Sequence, residues 1–419
     1  MESIVEFFCQ EGYKTVFTYN NTKTICTESL DGFSVRLIEK EYKKMISTKL
    51  INYKNRNKYR DYLINNKESI HLISKEINRQ NPKIILDFDN YIFNEILIVC
   101  ARYLNYIEIR MERINVNKYI DINNIQIEKY DNLLFVYIKE KSKKYYQKYF
   151  SNINDENYKI ILNEIKLFLE YLGLNAKNMI QAKKYDLVIS NKVAGILYHE
   201  ACGHQFELSK NNTLYSLIKY GENYNFCNEN LTIRDIGFKN ISSELYDDEG
   251  SLKKEIVLID KGKVKSPLTD LKSLMNFNNY EKTGNCRRES YRFYPEARMY
   301  CTLIENGNES VANMISQVNY GLYISSISEA YLDHKLSLVY CIVDRANVIK
   351  NGKITNIIVK CILEEDAMTI LKNTSAISDD SYTNSGYCNS NSGNIYVEYG
   401  SPTMYLKKIN MREVCIYDK

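Results

Sequence analysis

The stretch His199-Glu200-Ala201-Cys202-Gly203-His204 contains two of the four histidines in this 419-residue chain, and the two flank a glutamate. Residues 193–198, directly before it, form an apolar run of helical character, and residues 185–190 before that run are strand-like. The sequence therefore predicts a strand that leads into a helix, with both histidines at the end of the helix.

The spacing of the two histidines differs from the four-residue spacing that places two side chains on one helix face. At about 100° per residue, side chains five positions apart point about 140° away from each other on a regular helix. Both rings can reach one metal ion only if the helix takes up an extra residue, as a π-bulge does, or breaks near His204. Gly203 tolerates such a distortion most easily, so we expect the irregularity there.

Two imidazoles with a glutamate between them are typical of a catalytic zinc site, which has three protein ligands and one position for water. His199 and His204 are the candidate ligands. Glu200 is the candidate general base, which takes a proton from a water whose pKa the metal has lowered. The alternative is a surface helix end with two solvated histidines and an ordinary glutamate.

The residues alone leave the third ligand open. Cys202 lies between the two histidines, Cys286 precedes a pair of arginines, and Cys388 lies far along the chain. Spacing excludes none of the three cysteines. The other two histidines are poorer candidates, because His71 lies in the far N-terminal part and His334 in a charged, turn-like stretch. We expect both of these histidines at the surface.

The histidine motif is part of a longer resemblance. The run 195–207, Gly-Ile-Leu-Tyr-His-Glu-Ala-Cys-Gly-His-Gln-Phe-Glu, resembles the HExxxH signature of the TldD/PmbA family of metallopeptidases. Further stretches agree with the family in order: Asp-Asp-Glu-Gly at 247–250, Thr-Gly-Asn-Cys-Arg-Arg-Glu-Ser-Tyr at 283–291, Pro-Glu-Ala-Arg-Met at 295–299, Ser-Gly-Tyr-Cys at 385–388 and Tyr-Gly-Ser-Pro-Thr-Met at 399–404. The resemblance is strong over about 183–406 and weaker upstream, and the family's glycine-rich flanks are missing around the motif.

This resemblance implies a set of roles. Cys388 matches the cysteine that is the family's third zinc ligand, and a zinc ion deprotonates a thiol on binding. Glu207 matches a family glutamate that orients a ligand histidine. The implied activity is cleavage of unfolded or leader-type peptides that lie extended in an internal cavity. The implied partner is a related subunit that lacks the metal motif, in a heterodimer, or a second copy in a homodimer.

Two other functions remain open at this point. The chain would be a non-catalytic dimerisation or scaffold subunit of such a complex if its metal were structural or absent, although an intact Glu200 argues against that. A hydrolase of another amide or ester would use the same zinc-activated water.

Arg287 and Arg288 lie side by side in the 283–291 stretch. An arginine beside the site would hold a substrate carbonyl or a developing oxyanion, which a preformed positive donor stabilises strongly. The alternative is a loop anchored by salt bridges, to Glu289 or to the acidic residues Asp247 and Asp248. The sequence favours neither role over the other.

Composition excludes several classes of partner. The chain has 56 basic and 52 acidic residues, a net charge of +4 that is too balanced to indicate nucleic-acid binding. The first residues lack the basic region of a secretion signal, and no apolar run reaches the roughly 18 residues of a membrane span. The 11 cysteines, an odd number without a framework pattern, suit a reducing compartment. We therefore expect a cytoplasmic protein with no membrane or nucleic-acid partner.

The order of predicted elements indicates an α+β fold of mainly antiparallel sheets with packed helices. We expect three parts: an N-terminal α+β segment (1–105), a middle segment of strands and one amphipathic helix (106–182), and a larger metal-bearing domain (183–419). Residues 1–52 are predicted as a short helix followed by a strand meander, and about 55–79 as a polar helix. The amphipathic helix is expected at about 158–174.

Overall fold

The structure is a computed structural model that describes residues 4–38, 43–48, 70–72, 86–122, 125–141, 145–151, 155–172, 178–208, 217–238, 245–277 and 279–413. Most of the polar helix predicted at about 55–79 lies outside these residues. The part of it that is described, Ile70–Leu72, is a short strand.

The helices and strands are numbered here in chain order. The α-helices are α1 (Leu86–Cys100), α2 (Asp155–Leu172), α3 (Asn191–Ala201), α4 (Leu271–Asn276), α5 (Val311–Ser316) and α6 (Ala367–Lys372), and short 3-10 helices lie at Ala101–Tyr106, Gly203–Phe206 and Leu217–Tyr220. The strands are β1 (Ile4–Asn20), β2 (Thr22–Ser29), β3 (Gly32–Ile38), β4 (Lys43–Thr48), β5 (Ile70–Leu72), β6 (Ile107–Ile122), β7 (Ile125–Glu140), β8 (Tyr145–Ser151), β9 (Asn178–Met179), β10 (Lys183–Ile189), β11 (Ile233–Ile236), β12 (Ile256–Asp260), β13 (Lys263–Val264), β14 (Cys286–Arg287), β15 (Glu296–Ala297), β16 (Cys301–Ile304), β17 (Tyr320–Asp333), β18 (Leu338–Lys350), β19 (Lys353–Asp366), β20 (Thr374–Ile377), β21 (Tyr382–Ser390), β22 (Gly393–Ser401) and β23 (Met404–Glu413).

The N-terminal sheet has the strand order β5-β4-β3-β1-β6-β7-β8, and β2 pairs with the second half of β1. The prediction of a short helix at the start of the chain is wrong, because β1 begins at Ile4. Its backbone is paired antiparallel with β6 from Glu6 to Tyr19. This long-range pairing satisfies the backbone of the whole segment, and it outweighs the local helix preference of the first residues.

Both faces of this sheet contribute to apolar cores, although β2 is largely exposed. On one face, Phe17 of β1 packs with α1 and α2 residues such as Phe93 and Ile165. On the other face, Phe8 packs against the C-terminal part of the chain, including Leu271. Successive strand side chains point to opposite faces, so β1 alone contributes to both cores.

The C-terminal part contains a seven-stranded sheet and a six-stranded sheet. One has the order β20-β23-β10-β17-β18-β19-β9 and the other the order β13-β12-β11-β16-β22-β21. Most strand pairs are antiparallel, and β10–β17 and β16–β22 are among the parallel ones. The expected α+β class, with mainly antiparallel sheets and a few packed helices, is confirmed.

Helix α3 lies between the two C-terminal sheets, in contact with β17 of one sheet and with β21 and β22 of the other. Its side chains Leu197 and Tyr198 belong to the large apolar core that both sheets share. Gly195 allows the close packing, because a Cβ atom there would lie 3.0 Å from the carbonyl carbon of Tyr399. The last turn of α3 is therefore held at a fixed place beside β21 and β16.

The division into three parts at 105 and 182 stays a prediction. Segments 1–105 and 106–182 contribute strands to one sheet. Among the helices that the structure describes, none combines the length and the apolar character needed to cross a membrane.

Candidate metal centre

The end of α3 carries the histidine pair. Ser190 caps the start of the helix with its side chain, and the helix ends at Ala201. A 3-10 turn, Gly203–Phe206, follows directly. The helix thus breaks before His204, and the break brings the ring centroids of His199 and His204 to 5.1 Å from each other.

Glycine is needed at position 203 because there is no room for a side chain at this break. Its φ angle is not in the left-handed region, so a side chain would not strain the backbone. A Cβ atom there would, however, lie 2.0 Å from Sδ of Met299 and 3.2 Å from Oγ1 of Thr302. The missing side chain lets the turn pack directly against the segment that leads into β16.

A third donor reaches the two imidazoles from a distant part of the chain. Cys388, on β21, has its Sγ atom 3.3 Å from Nε2 of His204. One ligand atom from each of His199, His204 and Cys388 lies within 4.8 Å of the others. All three residues are buried. This group has the composition of a catalytic zinc site with three protein ligands.

Hydrogen bonds fix which ring nitrogens face the cluster. Nδ1 of His199 lies 3.3 Å from Oγ1 of Thr302, and Nδ1 of His204 lies 3.0 Å from Oε2 of Glu207. Each ring therefore turns its Nε2 atom to the other side, where Nε2 of His204 meets Sγ of Cys388. Nε2 of His199 is buried and has no hydrogen-bond partner among the described residues. Partners of this kind set the tautomer and the orientation of a histidine that binds a metal.

The surroundings favour protonation states that bind metals. Burial lowers the pKa of His199, and this outweighs the nearby Glu200 and Glu207, so the ring is kept neutral. Burial raises the pKa of Cys388, but His204 and Arg298 lower it by more, and the net change is downward. A neutral imidazole and an easily ionised thiol are the forms that a divalent metal binds.

Glu200 points to the same cluster. Its Oε2 atom lies 3.6 Å from Nε2 of His204, and the residue is buried. Its carboxylate is therefore close enough to exchange a proton with a small molecule held among the three ligands.

Arg298 contacts residues that hold two of the three candidate ligands. The sequence analysis quotes the stretch 295–299 but gives Arg298 no role. The side chain is fully buried. It donates a hydrogen bond of 2.6 Å to the carbonyl oxygen of Cys388, and its Nε lies 3.5 Å from Oε1 of Glu207. It also donates to Oγ of Ser392 at 2.7 Å. One guanidinium thus holds both the carboxylate that supports His204 and the strand that carries Cys388.

Replacing Arg298 with methionine should reduce both stability and metal binding. The change leaves Glu207 without its buried cation, and breaking a buried ion pair from one side costs about 3–5 kcal/mol. Loss of a supporting residue lowers metal affinity by about 10–100-fold. Urea unfolding of the metal-free protein and a zinc titration measure the two effects. Arg292→Met, at an exposed position, should change stability by less than about 0.5 kcal/mol; equal effects in both variants would contradict the assigned role.

Arg287 and Arg288 do not belong to this cluster. Arg287 donates to the carbonyl oxygens of Met299 and Tyr396 at 2.5 and 2.8 Å. Arg288 forms a fully buried ion pair with Glu6 of β1. Both arginines line a cavity of about 590 Å³ beside the N-terminal sheet. Arg288 therefore joins the N-terminal sheet to the C-terminal part, whereas the hydrogen bonds of Arg287 lie within the C-terminal part.

The structure also places the other candidate metal ligands. Cys202 and Cys286 are buried, and burial raises the pKa of each thiol well above its usual value. His71 lies on β5 of the N-terminal sheet. His334, which the sequence analysis places at the surface, is half-buried, and its ring packs edge-on against that of His204 with 5.5 Å between centroids. Its turn is brought there by pairing of β17 with β18, which the local sequence does not reveal.

Comparison with known proteins gives a consistent set of relatives. A family model described as "PmbA/TldA metallopeptidase C-terminal domain" matches residues 182–413. A metalloprotease TldD homolog from Buchnera aphidicola is 30% identical over 244 residues, 57% of this chain and 50% of the relative. A zinc metalloprotease TldD homolog from Saccharolobus solfataricus is 27% identical over 236 residues, 55% of this chain and 52% of the relative. The chain thus spans about half the length of the curated relatives it matches.

Solved structures share the fold over nearly the whole chain. TldE from Thermococcus kodakarensis superposes with a TM-score of 0.71 at 13% identity, covering 98% of this chain and 96% of that chain. A putative modulator of a DNA gyrase from Thermotoga maritima superposes with a TM-score of 0.68 at 14% identity, covering 98% and 96%. At this identity the likeness concerns the fold alone.

Proposed function

The chain belongs to the PmbA/TldD metallopeptidase family, and from this we propose that it is a zinc-dependent peptidase that cleaves unfolded or leader-type peptides. The observation that carries the proposal is the convergence of His199, His204 and Cys388 beside the carboxylate of Glu200. A scaffold subunit has no need of a carboxylate at this place, so the non-catalytic alternative has less support.

The donor set fits zinc. Two imidazoles and a thiolate are ligands that zinc prefers, with Zn–N distances of about 2.0–2.1 Å and Zn–S distances of about 2.3 Å. Tetrahedral angles then separate sulfur and nitrogen by about 3.5 Å, close to the 3.3 Å between Cys388 Sγ and His204 Nε2. The buried Nε2 of His199, which lacks a hydrogen-bond partner among the described residues, supports the same assignment.

The side chains of this site have different roles in hydrolysis. A bound zinc ion would acidify a water molecule and polarise the carbonyl group of the substrate. Glu200 accepts the proton from the attacking water and delivers it to the leaving amine. Thr302 and Glu207 hold His199 and His204 in the orientation that presents Nε2. Burial of both rings keeps bulk water away and strengthens the electrostatic interactions in the site.

A cavity of about 520 Å³ next to the site offers room for part of an extended peptide, although the three metal ligands and Glu200 are not among its lining residues. Its wall includes Ile196 of α3 and Tyr399 of β22, and the Tyr399 ring centroid is 6.0 Å from that of His199. The other walls come from β8, α2, β17, β18 and β21, and they mix apolar and aromatic side chains such as Leu167 and Tyr323 with polar ones such as Glu164. A volume of this size is in the usual range for ligand pockets, about 300–1,000 Å³.

For the partner, we propose a related subunit without the histidine pair, or a second copy of this chain. The support is that this chain matches a TldD homolog in sequence and shares its fold with a TldE. We also propose a cytoplasmic location, because the cysteines that the structure describes are all free thiols.

Metal removal tests the proposal. The purified protein should contain about one zinc per chain and should hydrolyse an unstructured fluorogenic peptide, alone or mixed with a co-encoded homologue. Treatment with a chelator should abolish hydrolysis, and added zinc should restore it. If the protein bound zinc but hydrolysed no peptide, either alone or with the homologue, the result would instead support the scaffold alternative.

A further inference from the structure

We propose that the cavity of about 520 Å³ is the specificity pocket of this site, and that it takes an aromatic side chain of the peptide from close to the scissile bond. The proposal rests on the peptidase function and names the class of residue that the site selects.

One face of α3 connects this cavity to Glu200. Val193 and Ile196 line the cavity. At about 100° per residue, their side chains lie within about 40° of that of Glu200 around the helix axis, and Glu200 is about 6 Å further along the axis than Ile196. A peptide with one side chain in the cavity can therefore extend along α3 to the candidate general base.

Tyr399 borders both the cavity and the metal ligands. Its ring is part of the cavity wall, and the ring centroid is 6.0 Å from that of His199. Burial raises the pKa of Tyr399, and the charge of the nearby Glu200 raises it further. An extended chain advances about 3.3–3.6 Å per residue. A side chain in the cavity thus belongs to a residue within about two positions of the scissile bond.

The lining of the cavity suits an aromatic ring. Aromatic side chains reach it from five different elements of the fold: Tyr146 of β8, Phe168 of α2, Tyr323 of β17, Tyr382 of β21 and Tyr399 of β22. Pairs of aromatic rings in tilted or offset contact are more favourable than the burial of their apolar area alone. A ring of the substrate can form such contacts with more than one wall.

The acidic residue of the lining is already engaged with other side chains. Glu164 accepts hydrogen bonds from the hydroxyl groups of Tyr146 and Tyr382, both at 2.9 Å, and from Nζ of Lys148 at 2.7 Å. These bonds hold the two tyrosine rings in place before a substrate arrives. A basic side chain would give up its water there without a free carboxylate to pair with, which is unfavourable.

Binding of matched peptides tests the pocket. The peptides are short, labelled glycine–serine chains that differ only in a central phenylalanine, alanine or aspartate, and the zinc-loaded Glu200→Gln variant binds them without cleavage. The phenylalanine peptide should bind about 10–100-fold more tightly than the alanine peptide, because burial of the ring contributes free energy on this scale. The aspartate peptide tests for attraction by Lys192 and Arg345, which also line the cavity, and it should bind no better than the alanine peptide. Fluorescence anisotropy measures the three affinities.

Two further substitutions in the same variant change the pocket itself. Ser326→Phe adds a ring at a position of the lining and should reduce the preference for phenylalanine to less than about 3-fold. Tyr323→Ala removes one aromatic contact and should reduce the preference by about 2–10-fold. The control is Ser316→Phe, the same chemical change at an exposed position outside the cavity, which should keep the full preference.

Cleavage of the same peptides by the wild type separates this proposal from the peptidase assignment. Equal affinity for the phenylalanine and alanine peptides, tightest binding of the aspartate peptide, or a full preference that survives in both Ser326→Phe and Tyr323→Ala would overturn the pocket, even if the wild type cleaved all three peptides. A preference for phenylalanine that these two substitutions reduce would support the pocket. If the wild type then cleaved no peptide, that result would end the peptidase proposal alone.

Discussion

Glu200→Gln is expected to abolish hydrolysis and to leave the metal in place. The amide has the same shape as the carboxylate but cannot take the proton from the attacking water, and general-base catalysis contributes about 10²–10⁴-fold to a rate. We therefore expect kcat to fall by about 1,000-fold or more. The metal should stay bound, because the ligands are His199, His204 and Cys388. Steady-state kinetics on an unstructured peptide and metal analysis of the same sample measure both results.

Glu222→Gln is the matched control for this change, since Glu222 is exposed and lies outside the site. It should retain wild-type kcat and zinc content. Full activity in Glu200→Gln would end the proposed mechanism. A loss of zinc in that variant would show instead that Glu200 helps to hold the ion.

Cys388→Ser should lose both zinc and activity. Serine has nearly the same size, but its hydroxyl ionises far less easily than a thiol and is a poor zinc ligand. The loss of zinc affinity should exceed the roughly 10–100-fold that removal of a supporting residue causes. A competition titration with a coloured zinc chelator gives the affinity, and circular dichroism checks that the variant is folded.

Two buried cysteines serve as controls for that measurement. Cys202→Ser and Cys286→Ser make the same chemical change at thiols that burial keeps protonated. Both variants should bind zinc as the wild type does. If Cys388→Ser kept one tightly bound zinc while Cys202→Ser lost it, the assignment of the third ligand would be wrong.

The sequence reveals the local part of the site and much less of the rest. His199 and His204 are five residues apart, so their relation follows from helix geometry and from the small size of Gly203. Cys388 lies 184 residues beyond His204, and only its resemblance to a family cysteine selects it from the other thiols. Thr302 and Arg298 carry no local signal of their role, because sheet packing alone brings them to the site.

The fold shows the same contrast between features that local sequence reveals and features that depend on long-range pairing. The α+β class follows from the order and the alternation of the elements. The first residues were predicted as a helix but form β1. Their helix preference is local, whereas their pairing with β6 joins residues more than a hundred positions apart. The turn holding His334 is likewise put beside the site by pairing of β17 with β18.

The large separation between His204 and Cys388 along the chain gives a shared ion a mechanical role. An ion held by both residues acts as a cross-link between the end of α3 and a strand of the neighbouring sheet, and it closes a loop of nearly half the chain. Closing long loops restricts the unfolded ensemble most, and metal binding contributes its free energy to folding. Zinc supply would therefore govern the resistance of this protein to unfolding and to degradation, and so its lifetime in the cell.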